Sequence, residues 1–313
     1  MKNSISICIP TYKRASFLRK TLLSIIEADF KPLEIIIGDN SGGDIETENV
    51  ISDFELILPI RYIVHNPPMN YGGNLKTISA AAKGNWISVI HDDDFYLPNF
   101  WKLFRIAIQQ NDFDFFFSDH LICSSDGTLL NNESNENSVK YNRNLLKRGC
   151  LDDPLSAVLL SQVCMDGWIA KRELVQSVEI DLRWPEYVDT QYLVQFASLS
   201  KKWFYETEPT FVYRLSAVSL TVSGIKVQEL FEYYNNLHLG KKEHIEIRNR
   251  ILVEYAPVAV SRWLRVGQKD KARKCLHSQY YLFPKTIRGF VKYIVQIHLL
   301  YFPGLNYVFN HLK

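Results

Sequence analysis

Short apolar runs alternate with amphipathic stretches along the first 110 residues of the chain. Ile5-Ser6-Ile7-Cys8-Ile9 reads as a strand ended by Pro10, after which Phe17, Leu18, Thr21, Leu22, Ile25 and Ile26 recur at helical spacing. Residues 33–37 read as a second strand, cut off by the turn-forming run Gly38-Asp39-Asn40-Ser41-Gly42-Gly43. Residues 61–64 give a third strand. Residues 74–83 predict a helix, with Gly84 as its C-terminal stop. Residues 86–90 form a fourth strand that runs straight into His91-Asp92-Asp93-Asp94, and beyond Pro98 a helix carries Trp101, Phe104 and Ile108 on one stripe. Residues 113–117 look like a further buried strand. Residues 124–144 are polar and Asn-rich, and predict a mobile surface loop or linker. Signals mix from 152 to 221, and after about residue 227 the chain reads as helical.

Strands alternating with helices predict an α/β fold, a doubly wound, mostly parallel and Rossmann-like sheet with a C-terminal helical extension. The expected division is 1–110, 111–226 and 227–313. Ligands of such sheets bind beyond the carboxyl ends of the strands. Polar groups stand at three of those ends: Thr11 and Tyr12, Asp39 and Asn40, and the Asp92 cluster.

Composition narrows the function classes. The chain has 313 residues, 47% of them apolar, enough for one large α/β domain with a helical addition or for two modest domains. A formal net charge of +2 argues against nucleic acid as a partner held by bulk charge. The charge is uneven, however: from Lys271 onward there is no Asp or Glu, while Lys271, Arg273, Lys274, Lys285, Arg288, Lys292 and Lys313 are basic. Tyr280, Tyr281, Phe283, Phe290, Tyr293, Tyr301, Phe302, Tyr307 and Phe309 are interleaved with them. That mixture suits an anionic membrane surface, or equally a helical subdomain burying its aromatics. Five dispersed cysteines, with no Cys-x-x-Cys pair, are expected to be reduced thiols of a cytosolic protein. No secretory signal and no membrane span is read; the best apolar run, residues 293–302, is too short.

Three consecutive carboxylates after an apolar strand raise one another's pKa, a cost that a bound cation relieves. Mg²⁺ or Mn²⁺, with their preference for oxygen ligands and substrate phosphates, fit the cluster. The same residues would also suit the N-terminal dipole of the helix after Pro98. Asp39 can accept a hydrogen bond from a nucleotide base or serve only its turn. Tyr12 can stack on that base or pack on the sheet edge. Lys76 can reach a phosphate or be a solvated helix lysine, and His65 reads as structural.

The pieces Ile9-Pro10-Thr11-Tyr12-Lys13-Arg14, Leu33-Glu34-Ile35-Ile36-Ile37-Gly38-Asp39-Asn40-Ser41, Ala80-Ala81-Ala82-Lys83-Gly84-Asn85-Trp86 and His91-Asp92-Asp93-Asp94 with Pro98 resemble, in this order, the inverting family-2 glycosyltransferases of GT-A fold. The resemblance covers about the first 110 residues well and continues weakly to about residue 221. It implies a donor-binding half (1–110) and an acceptor-binding half (111–226) of one GT-A domain. It also implies that Pro10, Thr11, Tyr12, Asp39, Asn40 and Asp92 bind the nucleotide-sugar, with Asp39 on the base, typically uracil, and Asp92 on the ribose or donor sugar. The family pattern is often Asp-x-Asp-Asp; here His91 occupies its first acidic position, which leaves Asp93 and Asp94 as the implied metal ligands. In Trp184-Pro185-Glu186-Tyr187-Val188-Asp189, Asp189 resembles the family's catalytic carboxylate, with Glu186 as the alternative and helix capping as the structural explanation. Arg214 resembles a basic position near the acceptor site, or is an ordinary surface arginine. The resemblance thus implies a metal-dependent inverting hexosyltransferase in O-antigen or capsule biosynthesis. Its donor would be a UDP-sugar, its acceptor a lipid-linked saccharide, and its place the cytoplasmic membrane face. The rival readings are a nucleotidyltransferase and a catalytically silent nucleotide-diphosphate-binding module.

Overall fold

The structure, a computed structural model, describes residues 3–28, 30–181, 183–184, 187–215 and 226–301. It divides into two compact units, Met1–Val222 and Ser223–Lys313.

In the first unit, among the described residues, nine strands form one sheet. Its first half is parallel. Strand β1 (Ile5–Thr11) lies between β2 (Glu34–Asp39) and β4 (Trp86–Val89), and β3 (Ile60–Val64) flanks β2. All seven residues of β1 are buried, as expected of a parallel strand covered on both faces. Connecting helices supply the cover: α1 (Ala15–Glu27) buries Leu18, Thr21, Leu22 and Ile25. Helix α2 (Ile45–Phe54) is capped by Asp44, whose carboxylate accepts from Thr47 N, and α3 (Tyr71–Ala81) by Asn70, which accepts from Gly73 N. Helix α4 (Phe100–Gln110) turns Trp101 and Phe104 into an aromatic core with Phe113, Phe116 and Phe204.

The second half of the sheet is mixed. Strand β5 (Phe95–Tyr96) pairs antiparallel with the far end of β9 (Trp203–Arg214), and β6 (Phe115–Cys123) runs parallel to β9. The two-residue β7 (Gly149–Cys150) also joins β9, and β8 (Trp168–Lys171) inserts antiparallel between β4 and β6. Helices α5 (Asn131–Lys140), α6 (Pro154–Leu159), α7 (Arg172–Gln176) and α8 (Val188–Leu199) complete the unit.

Three local readings are corrected. The polar stretch 124–144, expected to be a mobile loop, contains α5 and a 3-10 turn at Arg143–Leu145. It is ordered by polar contacts and not by an apolar stripe. Asp119 accepts from Arg143 Nε at 2.9 Å and from Ser138 Oγ at 2.6 Å, and buried Ser134 Oγ accepts from Ile122 N. The helix expected at 74–83 runs from Tyr71 to Ala81. Gly84 does not stop it; the residue is needed where the chain crosses β1, because a Cβ there would meet Ser6 N at 2.5 Å. Gly38 is required for a similar close approach, its Cβ position lying 2.0 Å from Asn74 Oδ1. That approach lets Asn74 Nδ2 donate to Gly38 O and fixes the end of β2, where Asp39 stands.

The second unit, among the described residues, is helical: α9 (Val227–Asn236), α10 (Lys242–Arg265), α11 (Lys269–Leu276) and α12 (Ile287–Tyr301). No helix of the described residues is long and apolar enough to cross a membrane. The five cysteines are free thiols, as expected.

Candidate active site

The parallel register sets the polar strand ends side by side, Thr11 of β1 opposite Asp39 of β2. The acidic loop after β4 folds over them. Asp92 is buried and accepts from Thr11 Oγ1 at 2.7 Å, from Arg14 Nη1 at 3.2 Å and from Tyr12 N at 3.4 Å. Arg14 also reaches Asp93 Oδ2 at 2.9 Å. Thr21 Oγ1 donates to the carbonyls of Asp92 and Asp94, which anchors the loop to α1. Burial pushes Asp92 up to about 6, with Arg14 opposing the rise and Asp93 adding to it.

Asp94 is held differently. Its Oδ1 accepts from Arg214 N at 2.7 Å, while Oδ2 is buried with no hydrogen-bond donor among the described residues. Burial first, and then neighbouring Asp166, raise the Asp94 carboxyl well above the usual range. Two buried carboxylates come together this way only with a proton or a cation to share. This orphaned oxygen is the observation that fits a divalent ion: ligand atoms of His91, Asp93 and Asp94 lie within 4.8 Å of one another.

His91 links this loop to the opposite wall. Asp166, buried just before β8, accepts from His91 N through both carboxylate oxygens at 3.1 Å, and its Oδ2 lies 3.8 Å from His91 Nδ1. His91 Nε2 is 2.7 Å from Tyr71 Oη, which donates to Asp189 Oδ1 at 2.8 Å. Tyr71 has one proton. Given to Asp189, it leaves the phenol oxygen as an acceptor and calls for N–H on His91 Nε2. That nitrogen then has no lone pair for a cation, while His91 Nδ1 and the carboxylates of Asp93 and Asp94 still offer theirs. Burial opposes charge on His91, but Asp166, Asp189, Asp93 and Asp92 together hold its pKa above the ordinary histidine value.

Asp189 lies inside the first turn of α8, whose N-cap is Tyr187, and its carboxylate accepts from Tyr71 instead of capping the helix. Burial raises its pKa, with His91 and the Tyr71 hydrogen bond pulling the other way. Glu186 and Pro185 lie outside the described residues.

The remaining expected residues sort plainly. Pro10 is buried in β1, and Tyr12 is exposed beside Asp92. Asp39 is buried and accepts from Ser41 N, Ser41 Oγ and Tyr62 Oη, so its carboxylate closes its own turn. Asn40 pins Met69 through both its side-chain amide atoms. His65 Nε2 pairs with Asn74 Oδ1 in the interior. Lys76 is exposed on α3. Arg214 is not a surface arginine. Fully buried, it donates to the carbonyls of Asp93 and Ser125 and lies over the Phe17 and Phe95 rings, bracing the acidic loop from behind. Sequence reasoning gave no role to Arg14, Tyr71 or Asp166. Arg14 stood inside a quoted motif; the other two carried no local signal.

Residues 6–160 match the family described as Glycosyl transferase family 2. Among curated proteins, the chain is 32% identical over 92 residues to GalNAc(5)-diNAcBac-PP-undecaprenol beta-1,3-glucosyltransferase of Campylobacter jejuni, covering 29% of each chain. It is 27% identical over 129 residues to an uncharacterized glycosyltransferase of Mycoplasma genitalium, covering 38% of this chain and 42% of that one. The matches thus span less than half the length of these relatives. Among solved structures, residues 1–349 of S. aureus TarS superpose with a TM-score of 0.63 at 12% identity, over 95% of this chain and 90% of that one. TarS has also been solved with UDP and with UDP-GlcNAc. The mannosyltransferase PcManGT of Pyrobaculum calidifontis, solved with GDP-Man and Mn²⁺, gives a TM-score of 0.52 at 12% identity, over 96% of this chain and 86% of that one. Residues 6–160 belong to glycosyl transferase family 2, and the fold is GT-A.

Proposed function

We propose that the protein transfers a hexose, with inversion, from a nucleoside-diphosphate sugar to a hydroxyl of a lipid-linked saccharide, in assembly of a cell-surface polysaccharide such as O-antigen or capsule. UDP-sugars are the favoured donors, in keeping with the UDP complexes of TarS. The lipid-linked acceptor follows the name of the Campylobacter relative, and puts the enzyme at the cytoplasmic face of a membrane. The observation that carries the reading is the hydrogen-bonded path from Asp189 through Tyr71 to His91, which ends beside the acidic loop.

Thr11, Tyr12, Asp39 and Asn40 line the nucleotide end. Asp93 and Asp94 would hold a Mn²⁺ or Mg²⁺ ion, which when bound would supply Lewis-acid neutralisation of the diphosphate. Asp189 takes the acceptor's proton as the new oxygen–carbon bond forms and the sugar–phosphate bond breaks, its electron pair leaving with the nucleoside diphosphate. Tyr71 holds Asp189 toward the donor. Tyr71→Phe is expected to lower turnover roughly tenfold, the worth of one hydrogen bond to an ionised group, while donor affinity stays within about twofold. An equal loss in donor affinity would make Tyr71 a donor contact instead.

The direct test is thermal-shift screening of UDP-, GDP- and dTDP-sugars with and without Mn²⁺, followed by product analysis. A donor at a hundredfold excess over its Kd adds about 2.7 kcal/mol of apparent stability. Release of free nucleoside diphosphate on adding acceptor supports transfer. Pyrophosphate would instead mean nucleotidyl transfer, and binding without turnover a silent module.

A further inference from the structure

Helix α12 buries Gln296 and Leu300 and leaves a separate apolar face uncovered. Ile287, Phe290, Val291 and Ile294 recur at the i, i+3, i+4, i+7 spacing of one face, and they are 86%, 45%, 56% and 48% exposed. Gln296, on the other side, is only 2% exposed. Its amide donates to Pro257 O and Ser261 Oγ, and its Oε1 accepts from Tyr281 Oη. Gln296 and Leu300 fix the helix to its unit, and the stripe from Ile287 to Ile294 faces outward. The stripe continues beyond the helix: exposed Phe283 lies with its ring 6.0 Å from that of Phe290. An outward apolar stripe of this kind on a soluble surface marks a contact with something.

The charges beside it say what. Lys285, Arg288 and Lys292 flank the stripe, and the segment from residue 271 onward contains no carboxylate. The basic run is not uniform, because Lys271 is tied to Glu232 at 2.6 Å and Arg273 to Asp270 at 3.4 Å. Exposed Lys274 apart, the cations of the segment that have no carboxylate partner among the described residues, Lys285, Arg288 and Lys292, lie at α12. A second copy of the chain seated on the stripe in a two-fold dimer would bring like-charged flanks together, which is unfavourable. An anionic lipid headgroup layer is complementary to both parts at once: acyl chains take the apolar face, and phosphates take the flanking cations. Fifteen residues of helix span about 22 Å, short of the ~30 Å hydrocarbon core, so the helix lies on the membrane and does not cross it.

We infer that α12, with Phe283, is an in-plane docking element for an anionic lipid surface, with Ile287, Phe290, Val291 and Ile294 entering the lipid and Arg288 and Lys292 meeting headgroups. The inference deepens the lipid-linked-acceptor reading and rests on it for its purpose. Its evidence is the helix alone.

The test is co-sedimentation of the full chain with vesicles of phosphatidylcholine, with and without one third phosphatidylglycerol. The parent protein is expected to pellet with the anionic vesicles, to release as salt rises, and to stay in solution with the neutral ones. Ile294→Asp changes an exposed position, so the fold should persist by circular dichroism, and the bound fraction should fall at least tenfold. Arg288→Gln with Lys292→Gln should weaken binding in proportion to the charge removed. Three results overturn the inference. One is equal recovery in the supernatant with both vesicle types. Another is undiminished binding by Ile294→Asp. The last is a parent dimer, by sedimentation velocity, that Ile294→Asp dissociates, since the stripe then belongs to a second copy. Nucleoside diphosphate release with a water-soluble acceptor, measured on the same variants, reads the transfer chemistry separately, so failure of one reading is distinguishable from failure of the other.

Discussion

Asp189→Asn is expected to cut turnover by about 10²–10⁴-fold while leaving the fold and donor affinity close to those of the parent, the range general-base catalysis typically contributes. The substitution keeps the side chain's size. Its amide oxygen can still accept from Tyr71 Oη, which now donates to Asp189 at 2.8 Å. Asp189 does not cap α8, so neutralising it costs the helix only the favourable first-turn charge, about 0.3–1 kcal/mol. What disappears is a half-buried carboxylate whose pKa is already raised, and a raised pKa makes a stronger base. Single-turnover rates and calorimetric donor affinity on one preparation decide the matter. Turnover within a few-fold of the parent would remove Asp189 from the chemistry and turn attention to Glu186.

The second large effect is expected at the acidic loop. Asp93→Asn should weaken divalent-dependent donor binding at least about 10–100-fold, the cost seen even for residues one shell further from a metal. The fold should tolerate the change, because Arg14 retains Asp92 at 3.2 Å when its 2.9 Å bond to Asp93 is weakened. Calorimetry with Mn²⁺ and with chelator makes the comparison. Donor affinity that is the same in both buffers, and the same in the variant, would leave the loop without a metal role.

How much of this was legible in the sequence depends on how far apart the interacting residues lie. Buried parallel strands betray themselves as short apolar runs, so the ends carrying Thr11, Asp39 and Asp92 could be read directly. The fold class followed from their alternation with helices. The far wall could not be read this way. Asp166 meets His91 across 75 residues, Tyr71 meets Asp189 across 118, and Arg214 meets Asp94 across 120. None of these pairings leaves a periodicity. Each exists because β8 inserts antiparallel beside β4, because β9 returns past β5, or because α8 begins opposite α3. Arg214 shows the limit well: in a stretch of mixed signals it read as an acceptor-site or surface arginine, and nothing local told that it would be buried behind Asp93. Helix α5 was missed for a related reason, since its order depends on Asp119 and Arg143, outside its own span.

The way Asp166, Asp189 and Arg214 grip the acidic loop limits how this domain can be recombined. A chimera that joins the first 110 residues to the second half of another transferase, in the hope of pairing one donor with a new acceptor, would sever three bonds at a stroke. His91 would lose the acceptor for its backbone N–H, Tyr71 the carboxylate it donates to, and Asp94 the N–H it accepts from. The two halves of the first unit are therefore not interchangeable cassettes. Any graft has to import His91, Tyr71 and Asp94 together with their three counterparts, or change acceptor preference through loops that touch none of the six.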